Sequence, residues 1–148
     1  MKLKQISISI ENSPGRLYEV TQLLGEAGIN LRALNLVETE NEFGLLRLLV
    51  SDVATTRRIL MEKHMPAQVN EVVAAVIEDK PGSLAKLLKY LRDAKINVTY
   101  TYAFVGFSPG KAVMIFRFSD NDKAIEVLQR EGVHLLDAES FGMLETEG

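Results

Sequence analysis

Residues 11–30 read ENSPGRLYEVTQLLGEAGIN, and residues 78–97 read EDKPGSLAKLLKYLRDAKIN. The two stretches start 67 positions apart, align without a gap, and share eight identical residues over 20 pairs. The identities include Pro14/Pro81, Gly15/Gly82, Leu24/Leu91, Ile29/Ile96 and Asn30/Asn97. Unrelated segments of this length share roughly one such pair, so the chain is a duplication. Further on, Ser51-Asp52 matches Ser119-Asp120 at an offset of 68, which places one extra residue of the second copy within Gly106–Lys111. The expected domains are residues 1–70 and 71–148. No Pro/Gly/Ser-rich linker lies between them, so the halves are expected to pack as one body.

Each copy can be read by its hydrophobic period. Ile6, Ile8 and Ile10 alternate with Ser7, Ser9 and Glu11, the pattern of a strand with one buried face. Pro-Gly then breaks the strand, and Pro suits the first helical turn, where its missing N–H is no loss. Leu17, Val20, Leu24 and Ala27, like Leu84, Leu87, Leu88, Leu91 and Ala94, follow at helical spacing. Gly28 ends the first helix, and Lys95 stands at that place in the second. Strands are expected at 31–38 and 98–106, then 45–50 and 113–118; helices at 54–63 and 122–131; closing strands at 67–70 and 135–141. The order βαββαβ predicts an α+β fold: two ferredoxin-like domains, each an antiparallel sheet with its helices on one face. Val72, Ala74 and Val76 replace the outward polar positions of the first strand, so the second copy's outer face is expected to be covered by a partner sheet or chain. On that ground a homodimer is expected.

The composition excludes several classes of function. The 148 residues carry a net charge of -3, 47% hydrophobic and 25% charged residues, and no cysteine. Such a chain supports a core, and it offers no disulfide, thiolate metal site or cysteine nucleophile. No apolar run approaches the ~20 residues that span a bilayer, and no signal peptide opens the chain, so a cytoplasmic address away from the membrane is expected. His64 and His134 belong to no spaced ligand set, and neither a phosphate loop nor a nucleophile elbow occurs. The chain is therefore expected to be no enzyme and to hold no metal or cofactor. Lys111-Ala-Val-Met-Ile-Phe116-Arg-Phe118 faintly echoes the basic-aromatic strand of RNA-recognition domains, but Ala112 replaces its glycine and the chain is acidic, so no nucleic-acid partner is expected.

A strand ending in an acidic residue, then x-x-Pro-Gly-x-Leu, an amphipathic helix and Ile-Asn at the next strand resembles the ACT domain. ENSPGRL with GIN, and EDKPGSL with KIN, carry the resemblance, which covers almost the whole chain as two copies. It implies a non-catalytic regulatory module that binds a free amino acid at an interface between two such domains and signals to a metabolic enzyme or pathway. A ligand-free dimerisation scaffold for an enzyme is the alternative. Helix starts with unpaired N–H donors and partial positive charge suit the amino acid's carboxylate. The ligand shell implied bridges the Pro-Gly loop of one copy and the second-strand entry of a neighbour; the first copy offers Asn12, Ser13, Gly15, Arg16 and Leu17 in its loop and Asn30 and Leu31 at its strand entry. The second offers Asp79, Lys80, Gly82, Ser83 and Leu84 in its loop and Asn97, Val98 and Tyr100 at its strand entry. Leu31 with Ala33, and Val98 with Tyr100, are expected to face the ligand's side chain. In the empty protein Asp79 is expected to cap its helix.

Overall fold

The computed structural model describes residues 1–40 and 42–145. In chain order the elements are β1 (Lys2–Glu11), α1 (Arg16–Glu26), β2 (Leu31–Glu38), β3 (Phe43–Val50), α2 (Val53–Glu62), β4 (Ala67–Glu78), α3 (Ser83–Asp93), β5 (Val98–Ser108), β6 (Lys111–Phe118), α4 (Asn121–Arg130) and β7 (His134–Leu136). They form two compact units: Lys4–Asn70 with the C-terminal segment from Ala138, and Glu71–Asp137 with Met1–Leu3. One strand, β4, supplies Ala67–Asn70 to the first unit and Glu71–Glu78 to the second.

In the first unit β3 lies between β2 and β1, and the start of β4 follows β1. In the second the order is β7, β4, β6, β5, the same arrangement. This antiparallel α+β architecture is the ferredoxin-like one. The helix-side core of the second unit joins Val73 and Ala75 of β4 to Leu87 and Leu91 of α3, Met114 and Phe116 of β6, and Leu128 of α4. Phe116 and Phe118 stack within it at 4.9 Å, so the aromatic residues of the RNA-like motif are core packing, closed to a base.

The Ser-Asp pair found in both copies has a structural role that the repeat alone did not show. Asp52 and Asp120 cap α2 and α4, accepting from the N–H of Thr55 and Lys123 at 3.1 and 3.0 Å. Ser51 and Ser119 accept from the N–H of Asn30 and Asn97 at 2.8 and 3.1 Å, and donate their own N–H groups back to the Asn30 and Asn97 carbonyls. Each Asn is thus clasped through its backbone at the start of β2 or β5. Both N-terminal helices end on a left-handed residue, Gly28 at φ +79° and Lys95 at φ +59°. Ile29 and Ile96 donate back to Leu24 and Leu91, closing the helix ends.

Two sequence expectations need correction. The closing strand of the second copy stops at Leu136 instead of running to Phe141. From Ala138 the chain turns, with Met143 donating to Ala138 and Gly142 at φ +70°. It then packs on the first unit: the Leu144 N–H donates to Ser51 at 2.7 Å, and Leu144 accepts from the Val53 N–H at 2.9 Å. Arg32 Nε donates to the Gly142 carbonyl, and Phe141 and Met143 are buried. Bonding of Ser51 and Val53 to a distant segment is not visible in a local periodicity.

The second correction concerns the outer faces. Val72 and Ala74 are fully buried, as are Val113 and Ile115, so the second copy's outer face is covered as expected; the burial is complete within the single chain and does not by itself require a second chain. Gln5 and Ser7 are buried too, although the alternation placed them toward solvent. Ser7 Oγ meets that burial by hydrogen bonding Asn70 Oδ1 at 2.7 Å.

Two outcomes follow from this packing. Truncation after Asp137 removes two buried side chains from the first unit and should lower its unfolding free energy by about 3–5 kcal/mol. Loss of hydrogen-exchange protection at the Val53 amide reports it. Lys95→Gly relieves a left-handed lysine and should stabilise the chain by about 0.5–1 kcal/mol in chemical denaturation.

Candidate functional site

Residues 13–16 and 80–83 form two matching type II turns. Arg16 N–H donates to the Ser13 carbonyl and Ser83 N–H to the Lys80 carbonyl, each at 3.2 Å. Pro occupies the second turn position, and Gly15 and Gly82 the third, with φ/ψ of 86/-11 and 87/-9°. A type II turn requires positive φ there, which is why glycine follows proline in both copies. A Cβ at either glycine would meet nothing within 4 Å, so the constraint is conformational, and open space lies above the backbone.

The turns narrow the set of free donors. The Arg16 and Ser83 N–H groups are used within the turns, and Glu19 and Lys86 donate to the Gly15 and Gly82 carbonyls. Among the described residues no backbone acceptor meets the N–H groups of Leu17 and Tyr18, or of Leu84 and Ala85. These are the orphan donors of the helix starts. Neither helix has a side-chain cap; Asp79 does not cap α3, because the glycine turn fills the capping position. Asp79 is tied instead through its N–H to the Gly110 carbonyl at 2.9 Å, as Asn12 is to Glu42 at 2.8 Å.

Asn12, Ser13 and Gly15 are exposed, and so are Asp79, Lys80 and Gly82. Arg16, Leu17, Ser83 and Leu84 are half-buried on the first helical turns. Asn30, Asn97 and Val98 are exposed, Leu31 and Tyr100 half-buried. Within one unit these residues fall into two groups. Strand β2 runs parallel to β1, since both are antiparallel to β3, so Asn30 and Leu31 lie at the opposite end of the sheet from Asn12–Leu17. The 11 residues of α1 separate them by about 16 Å. The second unit repeats the arrangement through β4, β6 and β5. A ligand touching a Pro-Gly turn and a strand start together must therefore draw them from different modules.

A bulge lies in each second strand. Leu31 faces Val50 and Ala33 faces Leu49; Val98 faces Phe118 and Tyr100 faces Arg117. The extra residue turns Leu31 and Ala33 to opposite faces, and likewise Val98 and Tyr100, against the simple alternation. Tyr100 and Tyr102 do share a face, opposite Arg117 and Ile115.

The two turns differ electrostatically. Arg16 pairs with Glu19 at 3.0 Å, and its Nε is buried without a partner. In the second copy Lys80 pairs with Glu78 at 3.1 Å, and Lys111 approaches the same carboxylate at 3.9 Å. The Lys80 hydrogen bond, then the charges of Lys80, Lys111 and Lys86, hold the Glu78 carboxyl below the usual carboxylate range. Close by, a cavity of about 430 Å³ opens between the first turns of α3, the end of β4 and the turn from α4 into β7. Of the expected ligand residues, Ser83 alone lines it. Among the described residues no cluster of three or more His, Asp or Glu forms a metal site, and no helix is long and apolar enough to cross a membrane.

Comparison with known proteins agrees with this architecture. A family described as an ACT domain pair matches residues 1–144. The crystal structure of a Bacteroides thetaiotaomicron protein is similar at 38% identity and a TM-score of 0.90, over 97% of this chain and 98% of that one. The ligand-free regulatory subunit of aspartate kinase from Thermus thermophilus shares the fold at 16% identity and a TM-score of 0.61, over 86% and 90% of the two chains. A structure of aspartokinase alpha and beta subunits does so at 18% identity and a TM-score of 0.58, again over 86% and 90%. No curated protein matches the chain.

The Glu78 cluster has a signed pH dependence. With the folded pKa depressed, its contribution to stability is complete above the unfolded value of ~4.3 and is lost as pH falls through the folded one. Solvent exposure keeps the effect small. An NMR titration should place the Glu78 midpoint below ~4.3 and move it upward in Lys80→Ala; a midpoint that ignores the substitution contradicts this assignment.

Proposed function

The chain belongs to the ACT domain pair family, and on that premise we propose that it is a non-catalytic regulatory protein that binds a free amino acid between ACT modules. The observation that carries this reading is the duplicated helix start. Each has two adjacent N–H groups without a backbone acceptor among the described residues, partial positive charge, and a glycine that leaves room above the turn. Gly15, Arg16 and Leu17, or Gly82, Ser83 and Leu84, would hold the carboxylate. Asn12 and Ser13, or Asp79 and Lys80, would frame it, with Asn30 and Leu31 or Asn97 and Val98 of another module closing on the ligand. Tyr100 is assigned a lesser part, because its bulged strand turns it away from the face of Val98.

A homodimer fits this scheme. β2 pairs only with β3 among the described strands and exposes Leu34, Leu36 and Val37, an apolar edge suited to a second copy. A ligand gripping two modules favours one of their arrangements, and a metabolic enzyme in the cytoplasm would read that change. The coupling equals the ligand's differential affinity for the two arrangements.

Thermal unfolding across the twenty amino acids tests the reading. A ligand at about 100 times its Kd should add ~2.7 kcal/mol, a rise of several degrees in Tm. Gly15→Ala and Gly82→Ala, each costing about 1–2 kcal/mol in backbone strain, should reduce that response wherever the loop is used. A flat panel at millimolar concentrations favours the alternative, a ligand-free scaffold that holds an enzyme together.

A further inference from the structure

The free edge of β2 carries a symmetry of its own. Thr39 donates its N–H to the Phe43 carbonyl, so in the regular run from Ala33 to Glu38 the odd-numbered residues turn their backbone groups toward β3. Leu34, Leu36 and Glu38 turn theirs the other way, to a side where no described strand stands. Leu34 and Leu36 share a sheet face with Leu48 and Leu46, which are fully buried, yet they stay 41% and 36% exposed. The core therefore runs out into solvent along this edge. Charges flank the two leucines. Glu38 makes no ion pair among the described residues, and Arg32 commits only its Nε, to the Gly142 carbonyl.

We propose that β2 pairs with β2 of a second chain, antiparallel about a two-fold axis at Asn35, and so joins the first units of two chains edge to edge. The proposal rests on the homodimer of the proposed function and names the strand and the register that form it. Only residues whose backbone groups both point outward can bond each other, so the axis must fall at a residue and not between two. With the axis at Asn35, Leu34 faces Leu36 of the second chain and Arg32 faces its Glu38, and the symmetry repeats both pairs. With the axis at residue 33, 34, 36 or 37, a leucine is set against Arg32 or Glu38. Apolar and charge matching thus select a single register. The second unit offers no equivalent edge, because at the offset of 67 residues β5 carries Thr99, Thr101, Ala103 and Val105 in these places.

The chain has no cysteine, so single cysteines placed in the full chain report the register by disulfide formation. Asn35→Cys should cross-link readily under mild oxidation, since residues facing each other at a non-hydrogen-bonded site lie about 4.5 Å apart at Cα. Leu34→Cys and Leu36→Cys should cross-link at least about tenfold more slowly, each lying about 8 Å from its own counterpart. Glu38→Arg, which sets like charges opposite each other, should raise the dimer Kd at least about tenfold in sedimentation. Fastest cross-linking at residue 34 or 36, no cross-link at any of the three, or an unchanged Kd in Glu38→Arg would overturn this pairing and leave the homodimer standing. A monomer at high micromolar concentration would overturn both.

Discussion

A left-handed glycine in each Pro-Gly turn is the constraint from which the rest follows. Proline holds its own φ near -65°, the third turn position must then take positive φ, and Gly15 and Gly82 supply it. That geometry ends β1 and β4 and starts α1 and α3 without a side-chain cap, leaving two amides per helix with no backbone acceptor among the described residues. Stability is given up at the same atoms that, in the proposed function, would offer a carboxylate its partners. A serine or aspartate cap, as at Asp52 and Asp120 on the other helices, would have filled the place with protein.

The copies keep the frame and vary its charges. The Ser-Asp pair clasps the start of the second strand and caps the second helix in both, which holds the strand starts in the same relation to their helices. Around the turns the same positions carry different chemistry. Arg16 is consumed by Glu19, whereas Lys80 and Lys111 converge on Glu78, with Lys86 beside the same cleft. Duplication followed by divergence of a few charged residues thus yields two unlike surfaces on one backbone.

The tail shows how a repeat can mislead. Leu135 and Leu136 extend the second copy as the first copy's pattern suggests, but the residues after Asp137 serve the first unit. Phe141 and Met143 look like the continuation of an alternating strand because an apolar residue at every second place has the same appearance in a strand and in a packed, turning segment. The distinction lies in Gly142 at positive φ and in the Leu144 bonds to Ser51 and Val53.

Local, short-range physics was legible in the residues themselves. Strand alternation, helical spacing, the Pro-Gly turn and the duplicated register place nine of the eleven elements closely, because backbone preference and side-chain period act within a few residues; β7 ends early, and β4 is one strand where the closing strand of one copy and the first strand of the next were expected. Features that depend on long-range approach were not: the bulges at Arg32 and Thr99, the burial of Gln5 and Ser7, and the path of the tail. Each is decided by which residues meet across the sheet, and that partnership comes into being only when the chain is folded.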